Sequence, residues 1–329
     1  MGQDILFILC VIGAAYVFDF INGFHDAANS IATIVTTGVL TPRQAVLWAA
    51  GFNFIAFLFF NMTVAKTIGS ELIDTNAINP SLIFAALLAA ISWGLITWFY
   101  GLPTSSSQAL IGGLVGAAMF HGGWITIKWL GFIKIAVGIF IAPIVGLIAS
   151  MMLTYVLTHS FRNKNKQSVN RLFKSLQLVS SACLSITHGA NDAQKTMGII
   201  TTLLFSVSWL KGAFHVPLWI IISCSFMMSL GTLMGGWRIV HTMGTKITHL
   251  NTLRGCSAET GAALAIFAAT EYGVPVSTTQ TVTGAIAGAG LLNGMKKTFW
   301  PMLRLIFLSW LLTMPVTAFM AALIMRIMG

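Results

Sequence analysis

Two aspartates lie where an ionised side chain is expensive. Asp26 sits in Asn22-Gly23-Phe24-His25-Asp26-Ala27 and Asp192 in His188-Gly189-Ala190-Asn191-Asp192-Ala193, both inside strongly apolar sequence, in a chain with eight acidic residues. A carboxylate there needs a cation, a proton or dense hydrogen bonding. Two matched aspartates are best explained by coupling cations, a protonatable ligand, or both. Asn22, His25 and Asn29 cluster with Asp26, and Asn191 and Lys195 with Asp192. Asparagine oxygens can join carboxylate oxygens around a hard cation. His25 reads as a proton relay or a hydrogen-bonding scaffold. Lys195 reads as a neutraliser of Asp192, a contact for an anion, or a side chain snorkelling to an interface. Asp19, seven residues before Asp26, has Ser185 at the matching place in the second half. It reads either as functional or as a helix-end residue or partner of a basic group.

A second pair of motifs carries hydroxyls. Gly101-Leu102-Pro103-Thr104-Ser105-Ser106-Ser107-Gln108 recurs as Gly273-Val274-Pro275-Val276-Ser277-Thr278-Thr279-Gln280. Proline favours an extended approach, and the Ser/Thr residues after it open a helix as N-caps do. Free backbone N–H groups at a helix start, with hydroxyls and a Gln amide, make an anion cradle favoured by the helix dipole. Two such starts converging from opposite sides of a membrane would surround a small tetrahedral oxyanion without arginine.

These motifs need elements to hold them. Of 329 residues 57% are apolar and 8% charged, against about 25% charged in soluble domains, so the chain belongs in a bilayer among lipids. The net charge of +10 does not indicate nucleic acid, because the basic residues gather in loops. Apolar stretches fall at about 4–21, 44–65, 82–100, 127–158, 213–235, 257–271 and 301–325. Weaker, Gly/Ser/Thr-rich segments at about 22–39, 104–120, 175–187, 192–210 and 277–293 suit broken helices or hairpins inside a bundle. Both aspartates are expected in Gly-containing breaks. Asp26 to Asp192 is 166 residues and Gln108 to Gln280 is 172, a near-constant offset that argues for duplication. The expected fold is an all-α polytopic membrane protein. It has two inverted-topology repeats with broken helices or re-entrant hairpins, and about 12 helical membrane segments. The first repeat is 1–159, a basic linker 160–174, and the second repeat 175–329. Arg162, Lys164, Lys166, Arg171 and Lys174 place the linker in the cytoplasm. Asp4, with no Lys or Arg before the first span, permits an external N-terminus. The four cysteines show neither metal spacing nor a disulfide framework. Glu259 reads as an ion pair with Arg254.

Paired polar interruptions in corresponding halves point to a transport site at the repeat interface, with no enzyme chemistry and no organic cofactor. An anion channel and a membrane-embedded enzyme are the rivals of other classes. Matched aspartates in matched halves argue against the first, and the lack of a second acidic cluster against the other.

At these motifs the chain resembles the inorganic phosphate transporter (PiT) family over nearly its whole length. Phe24-His25-Asp26 and Asp192-Ala193-Gln194-Lys195 resemble the bacterial low-affinity branch. The resemblance implies alternating-access symport of inorganic phosphate with Na⁺ or H⁺ across the inner membrane. Some members carry sulfate, or phosphate complexed with a divalent metal. It also implies a substrate site of Asp26, Ser105, Ser106, Gln108, Asp192, Ser277, Thr278 and Gln280. Asn22, Asn29 and Asn191 would assist the two aspartates at the coupling ion. His25 and Lys195 are candidate proton or charge partners, and a homodimer is a candidate assembly. The chain departs from the widespread form at Phe24-His25, Gln194-Lys195, Gln108 and Gln280, which leaves the coupling ion open between Na⁺ and H⁺.

Overall fold

A computed structural model describes residues 5–292 and 300–328, so the reading of Asp4 lies outside the described residues. The described chain is helical nearly throughout, and its elements repeat in order. The first set is α1 (Ile5–Thr36), α2 (Pro42–Ile55), the short α3 (Thr63–Lys66) running on to Glu71, α4 (Pro80–Phe99), α5 (Ser106–Gly122) and α6 (Trp129–Ser160). The second is α7 (Lys166–Ser206), α8 (Leu218–Met234), α9 (Trp237–Thr245), α10 (Thr252–Glu271), α11 (Thr278–Leu291) and α12 (Trp300–Met328). Segment 160–174 comprises a turn and the first turns of α7, and its five basic residues are exposed.

Helix signals match across the halves. Asn79 and Asn251 each accept a hydrogen bond from the backbone N–H three residues on, at Leu82 and Arg254. Gly101 and Gly273 take φ of 66° and 64° to turn the chain out of α4 and α10, a conformation that favours glycine. Pro143 and Pro315 interrupt α6 and α12 at the same offset as the hydroxyl motifs. Each repeat's fifth helix packs on the other's sixth, α5 on α12 and α11 on α6.

Among the described residues four helices are long and apolar enough to cross a membrane: α1, α4, α6 and α12. The segment from α2 to Glu71, bent by 75°, and the pair α8–α9, bent by 71°, are broken or re-entrant helix pairs. α5 and α11 are shorter and buried along most of their length. Large apolar side chains of α6 and α12, among them Phe140, Ile144, Phe307 and Leu311, face outward as a lipid surface does.

The breaks are not where the aspartates are. α1 runs unbroken through Asn22–Ala27 and α7 through His188–Ala193. The motif glycines serve close approach instead: a Cβ on Gly23 would strike the Met228 carbonyl of α8, and one on Gly189 the backbone of Asn53 in α2. Mid-helix glycine costs about 1 kcal/mol relative to alanine, and this tight crossing offsets it. The true breaks fall inside one expected span, at 56–62, and at the end of another, at Gly235–Gly236. Gln194 serves the first break: its Oε1 accepts from the N–H groups of Val64 (3.0 Å) and Ala65 (3.3 Å), while its Nε2 donates to Asn61 O (3.0 Å).

Candidate substrate and ion site

α5 and α11 start as the hydroxyl motifs require. Ser105 Oγ accepts from Gln108 N (3.1 Å) and Ser277 Oγ from Gln280 N (3.2 Å), capping both helices. The next backbone donors, Ala109 N and Thr281 N, bond to the Ser105 and Ser277 carbonyls. Helix geometry then leaves the N–H groups of Ser106 and Ser107, and of Thr278 and Thr279, without intrahelical acceptors. The two starts meet, because Ser107 Oγ donates to Val276 O just before α11 (2.7 Å).

The carboxylates sit against these starts. Asp26 accepts from Ser106 Oγ at Oδ2 (3.1 Å) and from Thr279 Oγ1 at Oδ1 (3.0 Å), one hydroxyl from each repeat. Asp192 accepts from Thr278 Oγ1 at Oδ2 (3.1 Å) and from the Lys195 ammonium at Oδ1. His188, one helical turn before Asp192, places Nε2 3.4 Å from Asp192 Oδ2. Ligand atoms of Asp26, His188 and Asp192 all lie within 4.8 Å of one another, and all three residues are buried. Carboxylate and imidazole donors this close suit a cation.

Lys195 resolves its three readings by geometry. It is fully buried, which excludes snorkelling, and its ammonium donates to Asp192, to Ser107 Oγ and to Val276 O. Its three hydrogens are therefore all used. Asn29, at the matching place in α1, also crosses to the other repeat and donates to Thr278 Oγ1 (3.3 Å) and Thr279 Oγ1 (3.1 Å). Its Oδ1 has no partner.

His25 and Asn191 are likewise matched, and both hold loops. Asn191 donates to Thr270 Oγ1 (2.9 Å) and Val274 O, and accepts from Val276 N. His25 sets Nδ1 2.9 Å from Asp26 Oδ1, with Nε2 near Thr97 (3.3 Å) and Thr104 (3.4 Å). Asn22 is buried, and neither amide atom has a hydrogen-bond partner among the described residues. It lines a cavity of about 20 Å³ with His25, Thr104, Ser105 and Ser106, room for one water but not for a tetrahedral oxyanion. The side chains of Gln108 and Gln280 point elsewhere. They line a largely apolar groove of about 550 Å³ between α5, α6, α11 and α12, whose walls include the outward-facing Phe140, Ile144, Phe307 and Leu311.

Sequence reasoning passed over His188, Ser107 and Thr279. Their signal was spacing: His188 and Asp192 stand at i and i+4 once α7 is unbroken, and Ser107 and Thr279 are matched at the 172 offset. Glu259, read as a partner of Arg254, instead accepts from Thr33 (2.6 Å), Gln177 (2.9 Å) and Ser180.

This arrangement is that of a repeat-built membrane carrier, with buried carboxylates and two capped helix starts meeting where the two halves meet. Sequence comparison agrees. The chain belongs to the phosphate transporter family, whose model matches residues 22–321. It is 51% identical over 313 residues to a probable low-affinity inorganic phosphate transporter of Rhizobium meliloti (strain 1021), covering 95% of this chain and 94% of that one. It is 41% identical to a protein so described from Bacillus subtilis (strain 168), covering 97% of each. A solved structure described as the sodium-dependent phosphate transporter shares the fold, with a TM-score of 0.88 at 24% identity over 98% of this chain and 99% of that one.

Proposed function

We propose that the chain carries inorganic phosphate across the cytoplasmic membrane by cation-coupled symport. The observation that carries this reading is the buried cluster of Asp26, His188 and Asp192, within 4.8 Å, against the starts of α5 and α11. Cations at the carboxylates offset their charge. The free N–H groups of Ser106, Ser107, Thr278 and Thr279 and the hydroxyls of Ser105 and Ser277 then receive the anion. Asp26 and Asp192 supply two negative charges and Lys195 one positive, so with neutral imidazoles the fixed charge is −1. One monovalent cation cancels it, and further cations offset the phosphate.

Na⁺ is the favoured coupling ion, since two carboxylates stand in the cluster and the unpartnered Asn29 Oδ1 belongs to a side chain that reaches the same helix start. Asn29, with its unpartnered Oδ1, serves the ion. Asn191 serves it by holding the 274–276 loop. Gln108 and Gln280 contribute through the helix starts they help to cap. A divalent metal travelling with phosphate is a finer reading of the same cluster. The two repeats, inverted in the membrane, rock against each other, and the linker 160–174 joins them on the cytoplasmic side. A second copy of the chain is the proposed partner, checked by light scattering of the detergent-solubilised protein. Phosphate is favoured over sulfate because near neutral pH it can donate a hydrogen bond to a carboxylate, which sulfate cannot.

Uptake of labelled phosphate into proteoliposomes, varying Na⁺, pH and Mg²⁺ gradients one at a time and competing with excess sulfate, tests this. Asp26→Asn and Asp192→Asn should lower uptake far more than they lower protein level. Wild-type uptake by both, or no binding of phosphate or a related oxyanion, overturns the reading.

A further inference from the structure

Asp19 is a buried acid to which the site above gives no role. It lies on α1 about 10 Å along the axis from Asp26, two helical turns toward the N-terminus. It is fully buried, and among the described residues neither carboxylate oxygen has a partner in hydrogen-bond geometry. The other buried acids differ. Asp26 accepts from two hydroxyls, Asp192 from Lys195 and Thr278, and Glu259 from three side chains.

The groups facing Asp19 supply it little. From α7 come Thr196, beside the carboxylate but outside hydrogen-bond geometry, and the charges of Asp192 and Lys195. Lys195 has no hydrogen left to give. From α8 comes the Cys224 thiol. On α1 itself Tyr16 stands one turn back, its hydroxyl engaged 2.8 Å from Ser223 Oγ. α4 carries no titratable residue. α2, α9, α10 and α11 meet α1 from Phe24 onward. Ala15, Phe18 and Met228 belong to the apolar cluster around this turn. A hard metal cation needs a shell of oxygens, and a thiol is a poor member of one. A proton needs only the carboxylate. It removes the charge that this environment cannot solvate.

Asp19 does not itself line the small cavity nearest it on α1. Phe18 and Asn22, flanking Asp19 on α1, line the one-water cavity that also touches His25 and Ser106. His25 is 2.9 Å from Asp26.

We propose that Asp19 is a proton-binding site of this carrier, separate from the cluster of Asp26, His188 and Asp192, and that its occupancy ties uptake to pH. Only the transport readout rests on the symporter reading. Protonation is read independently, by pH-titrated infrared difference spectroscopy of the full chain in lipid vesicles with H/D exchange. Wild type should show a protonated-carboxyl band that is lost on raising pH and unmoved by Na⁺. Asp19→Asn should lack it, and Asp19→Glu should restore it at a shifted position. In proteoliposomes Asp19→Asn should lose the pH dependence of phosphate uptake and keep its Na⁺ dependence. An Asp19→Asn spectrum that retains every wild-type carboxyl band overturns the proposal, as does a band removed by Na⁺ at constant pH. If wild type moves no phosphate, the symporter reading fails while the spectrum still decides Asp19.

Discussion

Lys195→Met removes the fixed counter-charge of Asp192 and nearly preserves volume. The Asp192 carboxylate is then left buried with Thr278 and His188, and Ser107 and Val276 O lose their shared donor. Breaking a buried ion pair from one side costs about 3–5 kcal/mol, whereas replacing both partners by neutral groups is often close to neutral. At roughly 2–4 °C per kcal/mol for the larger domains for which such shifts are tabulated, the single variant should melt on the order of 10 °C below wild type. Asp192→Asn, which strands the ammonium instead, should fall by a similar amount. The double variant, in which the new amide oxygen still accepts from Thr278, should recover most of the loss. Thermal denaturation of the four purified proteins in one detergent, without phosphate, completes the cycle. Na⁺ gives a second axis, since a ligand that binds the folded state stabilises it by mass action. It should raise the melting temperature of Lys195→Met more than that of wild type, because the travelling cation takes the place of the ammonium. If the double variant loses the sum of the two single losses, the pair is uncoupled and the charge count behind the proposed function is wrong.

The repeat packing makes a matched prediction. A methyl on Gly116 would meet the Ala318 carbonyl and one on Gly288 the Leu147 carbonyl, both below van der Waals contact, whereas Gly13 and Gly51 have open space. Gly116→Ala and Gly288→Ala should each cost about 1–3 kcal/mol by overpacking, read as melting temperature in detergent, with Gly13→Ala and Gly51→Ala near wild type. Equal loss in all four would deny the close crossings of α5 with α12 and α11 with α6. Glu259→Ala should cost about 1–3 kcal/mol, chiefly by leaving the Gln177 amide unpaired. Ser180 can turn to Gln177 O instead, 3.3 Å away. Wild-type stability of that variant would mean that Glu259 does not tie α1, α7 and α10 together.

The hydroxyl motifs were the most legible part of the sequence. Pro103 and Pro275 fix an extended approach, Ser105 and Ser277 cap, and the helices start where those rules place them. The aspartate motifs misled over backbone and informed over chemistry. Polar residues and glycine resemble a break when each is weighed by local propensity alone. Here Asn191, Asp192, Gln194 and Lys195 all find partners on other helices, so α7 has no reason to unwind. Tertiary contacts of that kind leave no local trace. The real breaks were hidden for the converse reason. Residues 56–62 are mostly apolar and aromatic, and what caps the helix after them is Gln194, 130 residues downstream of Val64. Gln108 and Gln280 show the limit of motif reasoning. A residue two positions into a helix can serve an anion site through its backbone while its side chain faces a separate groove.

Duplication explains why two carboxylates meet, and divergence explains why they are not equivalent. Position for position, Asn22 answers to His188, His25 to Asn191 and Asn29 to Lys195. The last pair matters most. Both side chains cross to the other repeat's hydroxyl motif, but one is a neutral amide and the other an ammonium. Asp192 therefore carries its own counter-charge through every conformation in which Lys195 stays with it. Asp26 accepts from a hydroxyl of each of the opposing helix starts and has the His25 imidazole nitrogen 2.9 Å away, with no lysine or arginine paired to it among the described residues. In a low-dielectric interior that difference decides where a mobile positive charge is worth most. On the proposed reading, Asp26 is therefore the acid whose charge the coupling ion meets.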